Sequence, residues 1–346
     1  MHRNFSADRY AKTLLGVAAA GFLLSACGGE YTQSAMVPRS DFARNVDELF
    51  RGIFWWAVAV FVLVEGALLV AVLRFREKPG ADEPKPVHGN TVLEITWTLA
   101  PAIVLILIAI PTIRSIWLVD RPPTTEAMVV EVIGHQWWWE FRYPELGVVT
   151  ANEMHLPVGR TVDVRLRSAD VIHSFWFPQM GGKRDVIPGH ETFVWFTPDS
   201  TGRYTGQCAE FCGIAHALMK MELVVEEPDA FESWAESMGA EVVLPAADDT
   251  TESGALLAAG SRAFMSGGCI ACHTIAGTLA RGVLGPDLTH IGGRRTIASG
   301  ILENTPEEMA RWIRDPQAVK PGVLMPTMGL SVEQIQTITT YLQGLK

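Results

Sequence analysis

Apolar positions divide the chain into regions of different texture. A first apolar run, Thr13 to Leu24, follows the basic residues Arg3, Arg9 and Lys12. It is too short to cross a bilayer and has the form of a signal-peptide core. Two longer runs, Ile53 to Leu73 and Ile95 to Leu118, each reach the ~20 residues that span ~30 Å of hydrocarbon as a helix. From Met128 to Val225 the pattern changes to period-two alternation, with strands predicted at 128–133, 161–166, 192–196 and 219–224 between Pro and Gly punctuation. This region reads as a small β-barrel or sandwich. Helical periodicity returns at 255–265 and from Ser331 to Leu345, where Ser331 and Glu333 mark the start of an amphipathic helix.

The loop between the two spans carries Arg74, Arg76, Lys78 and Lys85, which places it on the cytoplasmic side. Everything after Asp120 then lies outside. Two carboxylates interrupt the hairpin, Glu65 in mid-span and Glu94 at the cytoplasmic entrance of the second helix. A carboxylate in hydrocarbon needs protein or water around it. Both therefore point to a polar partner on another membrane subunit, as a hydrogen bond or as part of a proton path. The first apolar run ends in Leu24-Ser25-Ala26-Cys27, which resembles a bacterial lipobox and makes Cys27 a candidate for lipidation.

The 346 residues allow two or three domains, and the hydrophobic share of 48% concentrates in the first third. A net charge of −10 excludes a nucleic-acid binder and suits a cationic protein partner. From Glu226 to Glu252 there are nine acidic residues and no Lys or Arg, the mark of a solvated linker in which apolar stretches allow a short helix.

Four of the five cysteines form two close pairs. Cys208 and Cys212 stand in Cys-x3-Cys-x3-His-x2-Met with His216 and Met219, and His173 lies upstream. Two thiolates, two imidazoles and a thioether make a soft nitrogen–sulfur set that favours copper. Zinc seldom takes a thioether, so Met219 tilts the choice further. Two thiolates in one loop can each bridge two metals. Cys269-Ile-Ala-Cys272-His273 is the attachment signal for a c-type haem, with His273 as an iron ligand.

The copper loop resembles the CuA motif of the cytochrome oxidase subunit II family. The resemblance runs from about Ile53 to Val225 and includes Glu94-Ile-Thr-Trp-Thr-Leu-Ala-Pro101, Gly134-His-Gln-Trp-Trp-Trp139 and Asp185-Val-Ile-Pro-Gly189. It implies a cupredoxin-like barrel whose dinuclear copper is held by His173, Cys208, Cys212, His216, Met219 and the main-chain carbonyl of Glu210. It also implies that the Glu210 carboxylate helps bind a magnesium ion shared with subunit I. Trp137 matches an aromatic residue of electron entry from cytochrome c, with barrel packing as its other reading. Glu94 matches the mouth of a proton channel in subunit I. Ala209 departs from the Ser often found there, at a side chain that is no ligand.

Residues 253–346 resemble an all-α class I cytochrome c, with Gly285-Pro-Asp-Leu288 after the haem motif. That family's sixth ligand is a Met. Met325, in Met325-Pro326, matches it, with Met328 as the alternative and His290 as a third candidate expected at the surface.

The organisation expected is a signal peptide over 1–26, an outer segment over 27–48, a transmembrane hairpin over 49–120 (helices 53–73 and 95–118), the copper domain over 121–226, an acidic linker over 227–252 and the haem domain over 253–346. The combination resembles caa-type oxidases, implying partnership with subunit I and subunit III in a bacterial cytoplasmic membrane, and electrons from a cytochrome c or a quinol-oxidising complex. The subunit of a nitric-oxide reductase and a stand-alone electron or copper carrier are the competing functions. The hairpin with Glu94 argues against the carrier.

Overall fold

The computed structural model describes residues 31–76, 88–120, 126–240 and 251–346, with positions 16, 21, 80 and 86. The signal-peptide cleavage site, Cys27, Lys78 and Lys85 lie outside the described residues. Helices α1 (Asp41–Arg74) and α2 (Thr91–Val119) form the hairpin. They are the two described helices long and apolar enough to span a membrane. Their Leu, Val, Ile and Trp side chains are exposed over the spans, as lipid or another membrane subunit requires. Glu65 lies in the middle of α1, half-buried.

Helix α1 begins twelve residues before the predicted span. Its first turns are a docking element rather than hydrocarbon-facing helix. The Ser40 hydroxyl caps the helix by accepting from Ala43 N–H at 3.0 Å and donates to the Met180 carbonyl at 2.5 Å. Asp41 accepts from Thr197 N–H at 2.8 Å. Phe42 is buried against Gly181 and meets Trp195 edge to face. Asn45 reaches across the hairpin to Ser115 at 2.6 Å. The hairpin is thereby fixed under the domain that follows.

That domain is a sandwich of two five-stranded sheets. The first has the order β3 (Val148–Ala151), β2 (Trp138–Tyr143), β1 (Met128–His135), β5 (Val162–Ser168), β8 (Thr192–Phe196). The second runs β4 (Glu153–Pro157), β10 (Lys220–Glu226), β9 (Gly202–Cys208), β6 (His173–Trp176), β7 (Arg184–Val186). β1 pairs with β5 and β4 with β10 in parallel, and the remaining pairs are antiparallel, as a cupredoxin-like Greek-key arrangement requires. Alternate residues of β1 face inward, and Trp139, Phe141, Tyr143, Phe175 and Phe196 fill the space between the sheets.

The acidic segment expected as linker from residue 227 starts as structure. Helix α3 (Pro228–Gly239) buries Phe231 in the copper-domain core. Its Trp234 stacks on His155, with ring centroids 4.2 Å apart. The charges lie on the outer face of an amphipathic helix, so composition alone misplaced the boundary.

The haem domain is helical. α4 (Glu252–Ser266) packs against α7 (Val332–Gly344), with Phe264 and Tyr341 in contact. α5 (Pro306–Arg314) and the single turn α6 (Pro316–Val319) lie between them in sequence, after the two-residue strands β11 (Thr296–Ile297) and β12 (Leu302–Glu303). Ser331 and Gln334 close a capping box at the start of α7.

His155 yields a prediction. It bonds Glu153 at 2.9 Å and Glu226 at 3.0 Å. Burial opposes its protonation, but the two carboxylates outweigh burial and hold its pKa above the ordinary value. Burial likewise opposes ionisation of Glu153, and His155 overrides it, so that carboxyl sits below its ordinary value. The ion pair therefore stabilises the domain between these two titrations. Stability should fall as pH rises through the raised His155 pKa, and fall again as pH drops through the lowered Glu153 pKa. Denaturant unfolding of the copper domain followed by Trp fluorescence should show the alkaline decline, and His155→Gln should flatten it.

Candidate copper centre and haem pocket

The copper ligands come from three places in the sandwich. His173 opens β6, Cys208 ends β9, and the loop from Ala209 to Met219 carries the rest before β10. Register brings them together, because Phe175 of β6 pairs with Cys208 of β9. The two thiol sulfurs are 3.7 Å apart. His173 Nδ1 lies 3.9 Å from Cys208 Sγ, and His216 Nδ1 lies 3.6 Å from Cys212 Sγ. Met219 Sδ is 3.9 Å from Cys212 Sγ, and the Glu210 carbonyl is 3.3 Å from Cys208 Sγ. Each of the other four expected groups thus lies against one of the two sulfurs. Among the described residues, His173, Cys208 and Cys212 offer ligand atoms that all lie within 4.8 Å of one another.

The electrostatics suit a cation. The Cys212 thiol donates to Cys208, which draws the Cys208 pKa far down, while the same proton makes Cys212 hard to ionise. The pair behaves as one group holding one proton, and a metal displaces that last proton. Burial opposes protonation of His173, yet the Asp170 carboxylate and Cys208 raise its pKa. Asp170 accepts from His173 Nε2 at 2.8 Å, which directs Nδ1 at the sulfurs. Asp170 was not singled out in the sequence, although it stands three residues before His173.

Trp137 is buried over this loop. Its indole N–H donates to the Cys212 carbonyl at 3.0 Å, and Gln136 Nε2 donates to the same oxygen at 2.8 Å. The loop's outer surface is bare, with Glu210, Phe211 and Ile214 exposed.

The haem motif lines a mostly apolar cavity of about 430 Å³. Cys269, Cys272 and His273 form one wall, and Met325 and Met328 lie on the lining. His273 Nδ1 donates to the Pro286 carbonyl at 2.8 Å. A carbonyl only accepts, so Nε2 is left with its lone pair, and burial keeps the ring neutral. Gly285 cradles this ring, since a Cβ there would stand 2.6 Å from His273 Cε1. Arg294 also lines the cavity, and its buried Nε has no protein partner. An unpaired guanidinium N–H in an apolar cavity matches the carboxylate of a haem side chain. The residues present therefore fit a c-type haem.

Gln317 holds the loop of Met325 by donating to the Val323 and Met325 carbonyls at 2.5 and 3.1 Å. Met325 is half-buried and Met328 more exposed. His290 is buried, against the expectation that it lies at the surface, because it sits between Leu288 and Ile291 in the domain core. It is absent from the cavity lining. Glu94 lies in the first turn of α2, roughly 30 Å along the helix from Ser115 and so at the far end from the copper domain.

The cavity is not built by the haem domain alone. Gln136, Trp137, Trp138, Ala151 and Asn152 of the copper domain complete its wall. Lys320, also on the lining, is buried and donates to the Trp137 carbonyl at 2.6 Å. Burial lowers its pKa to about 7. Nothing in the sequence marks this residue, because a lysine is expected at the surface.

Family models match along the chain. The transmembrane domain of cytochrome c oxidase subunit II matches residues 29–115, its periplasmic domain 147–227, and cytochrome c 257–346. Cytochrome c oxidase subunit 2 of Alkalihalophilus pseudofirmus is 39% identical over 331 residues, which cover 93% of this chain and 94% of that one. The protein of the same name from Bacillus subtilis is 31% identical, covering 98% of each. Among solved structures, the periplasmic domain of subunit II of cytochrome oxidase from Bradyrhizobium japonicum is 33% identical, covers 35% of this chain and 96% of that one, and superposes with a TM-score of 0.32. Hairpin, copper domain and haem domain thus match in the order in which they occur, and the chain belongs to the cytochrome c oxidase subunit II family, in a form that carries its own cytochrome c domain.

Proposed function

We propose that this subunit admits electrons to a haem–copper oxidase through its haem domain, passes them to its copper loop, and hands them to subunit I, where oxygen is reduced to water with coupled proton translocation. The bound groups, a covalent c-type haem and a two-copper centre, supply one-electron carriers of matched potential. The observation that carries the reading is the position of Trp137. It walls the haem cavity on one side and bonds the Cys212 carbonyl on the other.

The chain's own residues do the positioning. Cys269 and Cys272 would hold a haem by thioether bonds, His273 would offer it Nε2, and Met325, on the loop that Gln317 holds, would supply a second iron ligand. His173, Cys208, Cys212, His216, Met219 and the Glu210 carbonyl would hold copper in a preformed, largely buried set, so little would have to move when charge changes. The exposed Glu210 carboxylate, with Phe211, faces subunit I and shares a magnesium ion with it. Glu94 stands where a proton path from the cytoplasm would open, in a bacterial cytoplasmic membrane. The donor is a soluble cytochrome c or a quinol-oxidising complex, and subunit III completes the assembly. Cys27 carries a lipid after cleavage of residues 1–26.

Isolation in mild detergent tests the whole reading. The chain should arrive with a large haem-bearing partner, and the complex should take up oxygen. A chain that purifies alone, without oxidase activity in the membrane, refutes it.

Cys208→Ser should abolish the mixed-valence copper signal in electron paramagnetic resonance while the haem c absorbance persists. Loss of both signals from folded protein would show the sites to be one unit. Met325→His should remove the weak near-infrared band of Met–haem ligation and lower the haem potential by on the order of 0.1 V, within the ~0.8 V that axial ligands span. Met328→His should do neither, and reversed outcomes would assign the ligand to Met328. Glu94→Gln should slow steady-state oxygen consumption and leave haem-to-copper transfer after flash reduction unchanged. Normal turnover in that variant would reduce Glu94 to a structural role.

A further inference from the structure

The two extramembrane domains meet through polar contacts that a flexible tether does not need. Arg295 of the haem domain makes a bidentate pair with Glu222 on β10, at 2.6 Å from Nη2 and 3.0–3.1 Å from Nε. Its backbone N–H donates to Glu153 at 3.2 Å. The Ser299 hydroxyl lies within 3.1 Å of both Asn152 Oδ1 and the Lys220 carbonyl, and Lys220 N–H donates to the Ser299 carbonyl at 3.2 Å. Ser299 is 2% exposed. The third point is Lys320 on the Trp137 carbonyl, where the lysine is 1% exposed. These points surround the shared wall of the haem cavity.

The backbone on both sides is specialised. Asn152 has φ 61°, and Ala298, Ser299 and Gly300 follow one another at φ 54°, 67° and 74°. Left-handed conformations at non-glycine residues persist where the surroundings over-determine them. Here the surroundings include the other domain. Gly322 makes a further close approach, since a Cβ there would lie 3.0 Å from Ile214 of the copper loop. A buried lysine nitrogen, charged or neutral, is costly unless its hydrogen bonds are made. Lys320 makes its bond across the domain boundary, so separating the domains would strip that bond from the Trp137 carbonyl and open the lysine's site to water.

We propose that Lys320, together with the Arg295–Glu222 pair and Ser299, locks the haem domain onto the copper domain in one docked position, with the Met325 loop seated on the backbone of Trp137. These are positioning residues, and the inference rests on the reading of residues 253–346 as the electron donor to the copper loop. The lock occupies the face of Trp137 that a separate cytochrome would otherwise approach. The connection over 241–250 then serves to supply the domain, and the interface holds it.

A specific protease site inserted within residues 241–250 of the full-length chain, in the assembled oxidase, separates these roles. Haem c and copper spectra of the uncut complex test the functional reading on their own. After cutting, the haem domain of the wild type should co-elute with the membrane-bound part on gel filtration at micromolar concentration. Lys320→Met should raise the dissociation constant of the cut domain about tenfold, as expected for losing a buried hydrogen bond. Its Met–haem band and thermal unfolding should match the wild type, which a general loss of structure would not allow. Glu222→Gln, which lies on the copper domain and cannot disturb the haem loop, should also weaken retention. Release from the cut wild type, or wild-type retention by both variants, overturns the proposal.

Discussion

The carbonyl oxygen of Cys212 is where the structure is tied together. It accepts two hydrogen bonds, from the Trp137 indole and the Gln136 amide. A carbonyl has two lone pairs, so this oxygen is saturated and the loop has no alternative partner to turn to. Cys212 is therefore held to the β1–β2 turn, and the haem domain rests on that same turn through Lys320. Removing either donor would loosen a ligand and the domain contact together. Buried hydrogen bonds of this kind are worth more for the geometry they impose than for their net ~1 kcal/mol.

A second constraint follows from softness and burial acting together. The sulfurs of Cys208, Cys212 and Met219 lie inside the sandwich end, with all three residues buried. Thiolates in such a place need a cation, and the two thiols share one proton until a cation arrives. Asp170 adds a fixed negative charge behind His173, so that the ring nitrogen facing the sulfurs is the one free to bind. The haem pocket has the complementary logic: an apolar cavity with a neutral His273 and two buried basic side chains, Arg294 and Lys320, on its lining.

How much of this was legible in the sequence depends on which atoms carry the information. The clustering of the candidate ligands was legible because copper and haem demand particular side-chain chemistry at short spacing, as in Cys208–Met219 and Cys269–His273. The spans were legible from hydropathy, but the start of α1 was not, because Ser40 to Asn45 dock by capping and by one aromatic contact rather than by apolar content. The apolar stretches of 226–252 allowed a short helix, which is α3, but the acidic composition hid that its Phe231 and Trp234, one turn apart, pack on the copper domain. His290 looked like a surface residue because a lone imidazole is polar, although Leu288 and Ile291 beside it belong to the core. The domain lock was illegible for a deeper reason. Part of it rests on main-chain carbonyls at Trp137 and Lys220, which every sequence contains, and the rest on Glu222, Glu153 and Asn152, whose partners lie 73 to 147 residues away with no spacing to announce them.

The shared wall of the haem cavity also constrains how the molecule can be made. Trp137, Trp138 and Asn152 of one domain close a space whose attachment cysteines belong to the other. Docking against the sandwich therefore narrows the approach to Cys269 and Cys272, which stay half-buried on the side of the cavity that the haem domain leaves open. A rigid macrocycle meets fewer obstacles before the two domains close on each other, so attachment to the cysteines is favoured ahead of docking.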